Sequence, residues 1–188
     1  MLCELHLTNK IKYKRMKKIQ KSLLIILCGI LSLSFSSSAQ NNFAKSAISI
    51  GVVVEDIDKS LEFYHNVVGM VKVREFSVDS EKAKQLGLSN GESFDVEVLK
   101  LENSEQATEW KLMSFNKKTS HKNKNYIPDE NGIRYVTLFV KSMTPVLERI
   151  NKHKVKTLGE TPMMLDENRQ FVLIKDPDGN FIEFIGPK

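Results

Sequence analysis

The chain has 188 residues, of which 41% are hydrophobic, and carries 28 Lys and Arg against 23 Asp and Glu. This length suits one domain with a sizeable core. Both cysteines, Cys3 and Cys28, lie within the first 30 residues. The rest of the chain therefore cannot contain a disulfide, a cysteine nucleophile or a thiolate metal site.

The first predicted element is a secretory signal peptide. Met16 opens a basic stretch, an apolar run follows at 23–33, and small residues precede a cleavage site after Ala39. This order is typical of a signal peptide, and the apolar run is shorter than the roughly 20 residues that a membrane span requires. We therefore interpret 1–39 as a signal peptide with an upstream extension. We expect a periplasmic or secreted protein without a stable membrane span after cleavage.

Removal of this leader reverses the sign of the net charge. The leader holds seven of the 28 basic residues and one of the 23 acidic residues, which leaves 40–188 with a net charge of about −1. The basic excess thus belongs to the leader. Because a nucleic-acid-binding domain needs a basic surface, the sequence predicts no nucleic-acid partner.

Two similar units follow the leader. Runs rich in β-branched and aromatic residues at 47–54 and 133–140 are predicted strands, and each leads into a helical pattern. The helices begin near Asp56 and Ser142, and the first is expected to end at Gly69. Three more strands are predicted after each helix: 71–76, 93–101 and 108–115 in the first unit, and 155–158, 169–175 and 180–185 in the second.

The predicted fold class is α+β, with two βαβββ modules at about 46–115 and 132–186. A lysine-rich linker at 116–131 joins them within a domain that spans 40–188. An insertion at 77–91 is expected to contain a short helix. Helices would cover the outer face of a cupped sheet, and the inner face would line a cavity.

Two segments resemble signatures of the vicinal-oxygen-chelate superfamily, which includes glyoxalase, bleomycin-resistance proteins and extradiol dioxygenases. They are DIDKSLEFY at 56–64 and DPDGNFIE at 176–183. The resemblance extends over about 46–186 and implies a glyoxalase-like fold. Because this superfamily includes many chemistries, the fold alone does not decide the activity.

Strand alternation identifies the side chains expected inside the cup. The predicted ligand-binding set is Ser49, Lys111, Met113, Tyr135, Thr137, Phe139, Phe181 and Glu183. The resemblance implies that metal-dependent members take four ligands, usually His and Glu, from positions matching Ser49, Lys111, Tyr135 and Glu183. Only Glu183 is a metal-ligand type, so the sequence predicts no metal and no cofactor. The histidines after the leader, His65, His121 and His153, are expected on the surface.

A buried ammonium and a buried carboxylate would not both stay unpaired. We therefore hypothesise that Lys111 and Glu183 form an ion pair where the metal would lie. Lys111 and the Tyr135 hydroxyl would then serve an anionic or carbonyl-bearing ligand, although the pair could equally fill the centre of the fold. Asp176 and Asp178 are interpreted as turn residues.

The leading functional hypothesis is an exported protein that binds a small molecule without a metal. Two alternatives stay open: a metal-dependent lyase, isomerase or dioxygenase of the same superfamily, and an antibiotic-sequestering resistance protein. The sequence does not decide whether any reaction is catalysed. It also leaves open whether the modules pair within one chain or across a homodimer.

Overall fold

The computed structural model describes residues 43–115 and 125–188. Lys45–Lys188 form one compact unit. No helix within the described ranges is long and apolar enough to cross a membrane. The predicted signal peptide, the first part of the linker and His121 lie outside the described residues.

The first module contains a four-stranded sheet with the order β1-β4-β3-β2, in which β1 runs parallel to β4 and the other pairs are antiparallel. Its elements are β1 (Ser49–Val53), helix α1 (Ile57–Phe63), a π-helical turn (Tyr64–Val68), β2 (Val71–Val78), α2 (Ser80–Gln85), β3 (Phe94–Lys100) and β4 (Glu109–Ser114).

The second module repeats this topology with the order β5-β8-β7-β6. Its elements are a 3-10 helix (Ile127–Asp129), β5 (Tyr135–Phe139), α3 (Thr144–Lys152), β6 (Met163–Met164), β7 (Arg169–Lys175) and β8 (Phe181–Pro187). The two βαβββ modules and the α+β class predicted from the sequence are thus confirmed.

The predicted strand at 155–158 is wrong. Only Thr157 forms an isolated bridge, and the edge strand of this sheet is β6. Gly159 turns the chain with a φ of 59°. Pro162 then comes just before β6, and a proline cannot donate a ladder hydrogen bond. The pairing therefore breaks after the bridge and resumes at Met163.

Local signals determine where the helices begin and end. Asp56 caps α1 by accepting a hydrogen bond from the backbone N–H of Lys59. Gly69 ends the π-helical turn with a φ of 93°, a conformation that glycine adopts without steric cost. Pro145 occupies the first turn of α3, where its missing N–H costs nothing. The predicted end at Gly69 and the short helix in the insertion are confirmed.

One hydrophobic core joins the two modules. Helix α1, the π-helical turn and α3 cover the same side of both sheets. The buried side chains there include Val54, Tyr64, Trp110 and Leu112 from the first module and Val146, Ile150, Val172, Ile182 and Phe184 from the second. The modules therefore pair within one chain. Ile48 precedes β1 and is 62% exposed, so the core on this side of the first sheet begins after it.

The turn between β7 and β8 also links the modules. Asp176 accepts hydrogen bonds from the backbone N–H groups of Asp178 and Asn180, at 3.0 and 2.7 Å, as the turn interpretation predicted. Its other oxygen accepts a 2.7 Å hydrogen bond from the buried hydroxyl of Tyr64 in the first module. Burial raises the pKa of Asp176, so the donors around it compensate for the desolvation of its charge.

Further polar contacts fasten the same junction. Asp178 accepts a 2.8 Å hydrogen bond from the backbone N–H of Glu55, just before α1. Arg149 on α3 donates to the backbone carbonyls of Val67 and Val68 at 2.9 and 3.1 Å. Because these bonds join residues more than 80 positions apart in the sequence, they fix how one module sits against the other.

Candidate functional site

The side of the sheets opposite the core helices forms an open face. Pairing registers place alternate residues of β1, β4, β5 and β8 on it. The eight side chains predicted to bind ligand all belong to this set: Ser49, Lys111, Met113, Tyr135, Thr137, Phe139, Phe181 and Glu183. Their accessibility differs widely, since Phe139 is 73% exposed whereas Phe181 is 2% exposed.

A polar cluster of four side chains, Ser49, Arg74, Glu109 and Lys111, lies on the open face of the first sheet. Glu109 is its centre. It accepts a 2.8 Å hydrogen bond from the Ser49 hydroxyl and is contacted at both carboxylate oxygens by Arg74 Nη2, at 3.1 Å. Lys111 Nζ lies 3.4 Å from Glu109 Oε2.

A β-bulge brings Arg74 into the polar cluster. The pairing of β2 with β3 shifts between Lys72 and Arg74, so Arg74 lies opposite Val98. Val98 in turn lies opposite Lys111 on β4. Directly opposed residues of a sheet point to the same face. Arg74 therefore shares the open face with Lys111. Strict alternation would have placed Arg74 on the same face as Lys72, but Val73 is the extra residue of the bulge and moves Arg74 to the other face.

The partners of Glu109 keep it ionised. The Ser49 hydroxyl, and then the Arg74 guanidinium and the Lys111 ammonium, lower the pKa of Glu109 to about 2. A carboxylate with so low a pKa is a weak base. The chemistry that suits Glu109 is therefore electrostatic, and it holds two cationic side chains close together.

The hypothesised ion pair between Lys111 and Glu183 is not formed. Lys111 pairs instead with Glu109 on its own strand. Glu183 accepts a 2.6 Å hydrogen bond from the Thr137 hydroxyl on β5. Within 43–115 and 125–188, no lysine or arginine nitrogen comes within 4 Å of the Glu183 carboxylate. The pair fails because a nearer carboxylate, on the same face of the same strand, competes for Lys111.

Helix α2 covers part of the open face of the first sheet. Ala83 on this helix is fully buried in a second apolar cluster with Phe94, Val96 and Val98. Met113, one of the predicted ligand-binding residues, packs against the same cluster. The insertion thus fills this part of the cup with side chains and leaves the polar cluster and the edge of β1 open.

A groove runs along the seam between β1 and β5, the edge strands at which the two sheets meet without sharing a ladder. Its volume is about 270 Å³. The lining includes Gly51, Val53, Trp110, Arg134, Tyr135 and Phe181. Lys175 and Arg134 lie over the Phe181 ring, with cation-to-centroid distances of 4.9 and 5.8 Å. The groove is mostly apolar, as small-molecule sites commonly are.

A model of the Glyoxalase/Bleomycin resistance protein/Dioxygenase superfamily matches residues 47–184. The chain belongs to this superfamily. The match includes both modules and the turn between β7 and β8, so the resemblance seen in the two sequence signatures is confirmed.

Two solved structures with the glyoxalase-like fold, and one sequence relative, are similar to this chain at low sequence identity. A glyoxalase-family protein from Bacillus cereus is 16% identical, with a TM-score of 0.65 over 79% of this chain and 97% of that one. The trypanothione-dependent glyoxalase I of Leishmania major is 21% identical, with a TM-score of 0.52 over 73% and 84%. The uncharacterized protein YwbC of Bacillus subtilis (strain 168) is 23% identical over 144 residues, 75% of this chain and 97% of its own.

Of the four positions that the resemblance implies as metal ligands, only Glu183 carries a side chain of a metal-ligand type. Ser49, Lys111, Tyr135 and Glu183 supply a hydroxyl, an ammonium, a phenol and one carboxylate. A metal site needs three or four nitrogen or oxygen ligands, and an ammonium repels the ion. In the part of the chain that the structure describes, no three His, Cys, Asp or Glu side chains are grouped so that they could hold a metal.

Sequence reasoning missed Arg74 and the seam groove. Nothing in the pattern of β2 marks the bulge that turns Arg74 to the open face. Gly51 did carry a signal, because a glycine inside a strand often marks a close approach. A Cβ at this position would lie 3.0 Å from Met113 Sδ.

Proposed function

We propose that this member of the superfamily is an exported protein that binds a small organic molecule in the seam groove without a metal. The observation that carries the proposal is the groove itself. It lies between the modules and is lined by aromatic and aliphatic side chains, with polar groups of the open face beside it. A few polar groups next to an apolar surface give a site both affinity and orientation.

The donor set supports binding rather than metal-assisted catalysis. Metal-dependent chemistry requires ligands that hold an ion able to polarise a bound oxygen, and the matching positions offer one carboxylate. Nor is Glu109 suited to general base catalysis near neutral pH, since its pKa is about 2. The signal-peptide pattern at 1–39 supports the export part of the proposal. A homodimer stays a prediction, which light scattering of the purified protein would test.

Fluorescence of Trp110 offers a direct test of binding, because it is the one tryptophan of the chain and lines the groove. Protein treated with a chelator is titrated with a neutral aromatic probe such as benzyl alcohol. We expect a saturable change in emission. Mass spectrometry of organic molecules that co-purify with the protein would identify the natural ligand.

A matched pair of variants locates the site. Val53→Phe adds a ring inside the groove, whereas Val71→Phe adds the same ring on β2, away from the groove; the two valines are 41% and 37% exposed. We expect the first variant to lose probe binding by at least about tenfold and the second to bind as the wild type does. Equal binding by both variants would refute the groove as the site. Binding that appears only after addition of a divalent metal would instead support the metal-dependent enzyme.

A further inference from the structure

We infer that the ligand is an organic anion, whose acidic group is bound by Arg74 and Lys111 while its apolar part occupies the seam groove. This inference rests on the proposed function and adds the chemical class of the ligand. It also adds Arg74, on β2, as a residue that determines specificity.

The two cations converge although their strands are separated by β3. Arg74 Nη2 lies 3.1 Å and Lys111 Nζ 3.4 Å from the same oxygen of Glu109. These nitrogens therefore cannot be more than about 6.5 Å apart. A carboxylate or phosphate could contact both side chains at hydrogen-bonding distance, with charge-assisted bonds that are about twice as strong as neutral ones.

The polar cluster has one more positive charge than negative. Glu109 is the one carboxylate that contacts Arg74 or Lys111 among the described residues. The Arg74 bonds to Glu109 use Nη2 alone, which leaves the Nε and Nη1 donors for another acceptor. The side chains of Arg74 and Lys111 are 48% and 28% exposed, so a ligand can reach them. A second acceptor with negative charge would complete the cluster.

Gly51 connects the polar cluster to the groove. It is the partner of Lys111 in the β1–β4 register and also lines the groove. Neighbouring strands are about 4.8 Å apart, so a ligand has to extend over one strand only. Gly51 has no side chain of its own, and the side-chain atom nearest to its position is the sulfur of Met113, at the far end of a flexible side chain.

The second module favours one orientation of such a ligand. Glu183, held by Thr137, places a carboxylate on the open face of the second sheet. A bound anion would be repelled by this carboxylate and attracted by the two cations of the first sheet. The acidic group is therefore expected over the first module and the apolar part at the seam.

Three probes of equal size and different charge test the inference: 3-phenylpropionate, its neutral amide and 3-phenylpropylamine. Affinities are measured by isothermal titration calorimetry and by Trp110 fluorescence. We expect the carboxylate to bind at least about tenfold more tightly than the amide, because a bond to a charged group contributes about 1.5–3 kcal/mol. The amine should bind most weakly, and added salt should reduce the affinity for the carboxylate alone.

The variants Arg74→Met and Lys111→Met should each lose about tenfold in affinity for the carboxylate and lose less affinity for the amide, because bonds to charged groups contribute more than neutral ones. Arg169→Met is the control, because Arg169 is 51% exposed and pairs with a single acid, Asp166, in the second module. It should bind the carboxylate as the wild type does, and circular dichroism should show all three variants folded.

The outcomes separate the two proposals. Equal affinity for the carboxylate and the amide, with binding still lost in Val53→Phe, would overturn the anion inference and leave the proposed function intact. Tighter binding of the amine would also overturn it and would favour sequestration of cationic molecules. No binding of any probe in the groove would refute both proposals.

Discussion

Tyr64→Phe removes one hydroxyl from the junction between the modules. The Tyr64 side chain is fully buried, and Asp176 is 5% exposed. Burial, and then the charge of Asp176, raise the pKa of Tyr64 well above its ordinary value, so the hydroxyl stays protonated and donates. Phenylalanine keeps the ring in the core. The variant therefore isolates the 2.7 Å hydrogen bond to the Asp176 carboxylate.

The expected cost is about 2 kcal/mol of unfolding free energy at pH 7, since a hydrogen bond to a charged group contributes about 1.5–3 kcal/mol. The full penalty for an unpaired buried charge does not apply, because the carboxylate keeps three other donors. These are the backbone N–H of Asp178, at 3.0 Å, and the backbone N–H and side-chain amide of Asn180, at 2.7 and 2.9 Å.

The cost should also depend on pH. Burial raises the pKa of Asp176 in the folded state above the ordinary 3.8. The folded state then binds the proton more tightly, and stability decreases as the pH rises through the folded pKa. Loss of the Tyr64 hydroxyl raises this pKa further. The difference between wild type and variant should thus shrink from about 2 kcal/mol at pH 7 toward about 1 kcal/mol in acid, where the bond is neutral.

Urea denaturation at several pH values between 4 and 7, followed by far-UV circular dichroism, measures these differences. Tyr135→Phe is the control, because Tyr135 is 49% exposed and its hydroxyl should contribute little to stability. A loss for Tyr64→Phe below about 0.5 kcal/mol at pH 7, or one that grows toward acid, would contradict the assigned role of this hydrogen bond.

Four further variants test other contacts. A hydroxyl and two cations lower the pKa of Glu109 from 4.5 to about 2. The stability that the Glu109 carboxylate contributes is therefore complete above pH 4.5 and is lost as the pH falls toward 2. Glu109→Gln should flatten the dependence of the unfolding free energy on pH in that range, as measured by urea denaturation. Gly186→Ala should cost about 2 kcal/mol or more in thermal denaturation, since its Cβ would lie 2.4 Å from the Val140 carbonyl oxygen. Gly51→Ala, which meets one flexible side-chain atom, should cost less than about 1 kcal/mol. Arg149→Met, which removes two bonds to the π-helical turn, should cost about 2 kcal/mol in urea without altering the far-UV spectrum.

The repeat, the helix ends and the tight turn could be predicted because each depends on neighbouring residues. Side chains along β1 and β8 alternate between the two faces with a period of two residues, and this alternation was enough to identify those on the open face. Asp56 and Gly69 marked the first helical segment through capping and a left-handed conformation. The strand at 155–158 was predicted wrongly, because Gly159 and Pro162 interrupt the pairing that its β-branched residues favour.

Contacts between distant strands could not be predicted in the same way. The partner of Lys111 depended on which carboxylate lies nearest across the folded sheet, and Glu109 rather than Glu183 occupies that place. Arg74 reached the open face only through a bulge in the pairing of β2 with β3. Helix α2 determined which part of that face stays accessible.

By itself, then, the sequence determined two βαβββ modules and the face on which each alternate side chain lies, because periodicity and capping act over a few residues. The tertiary structure alone decided that the modules share one core within the chain, and that a groove lies at their seam beside two cations. Those features arise from packing between residues far apart in the sequence, which no local pattern records.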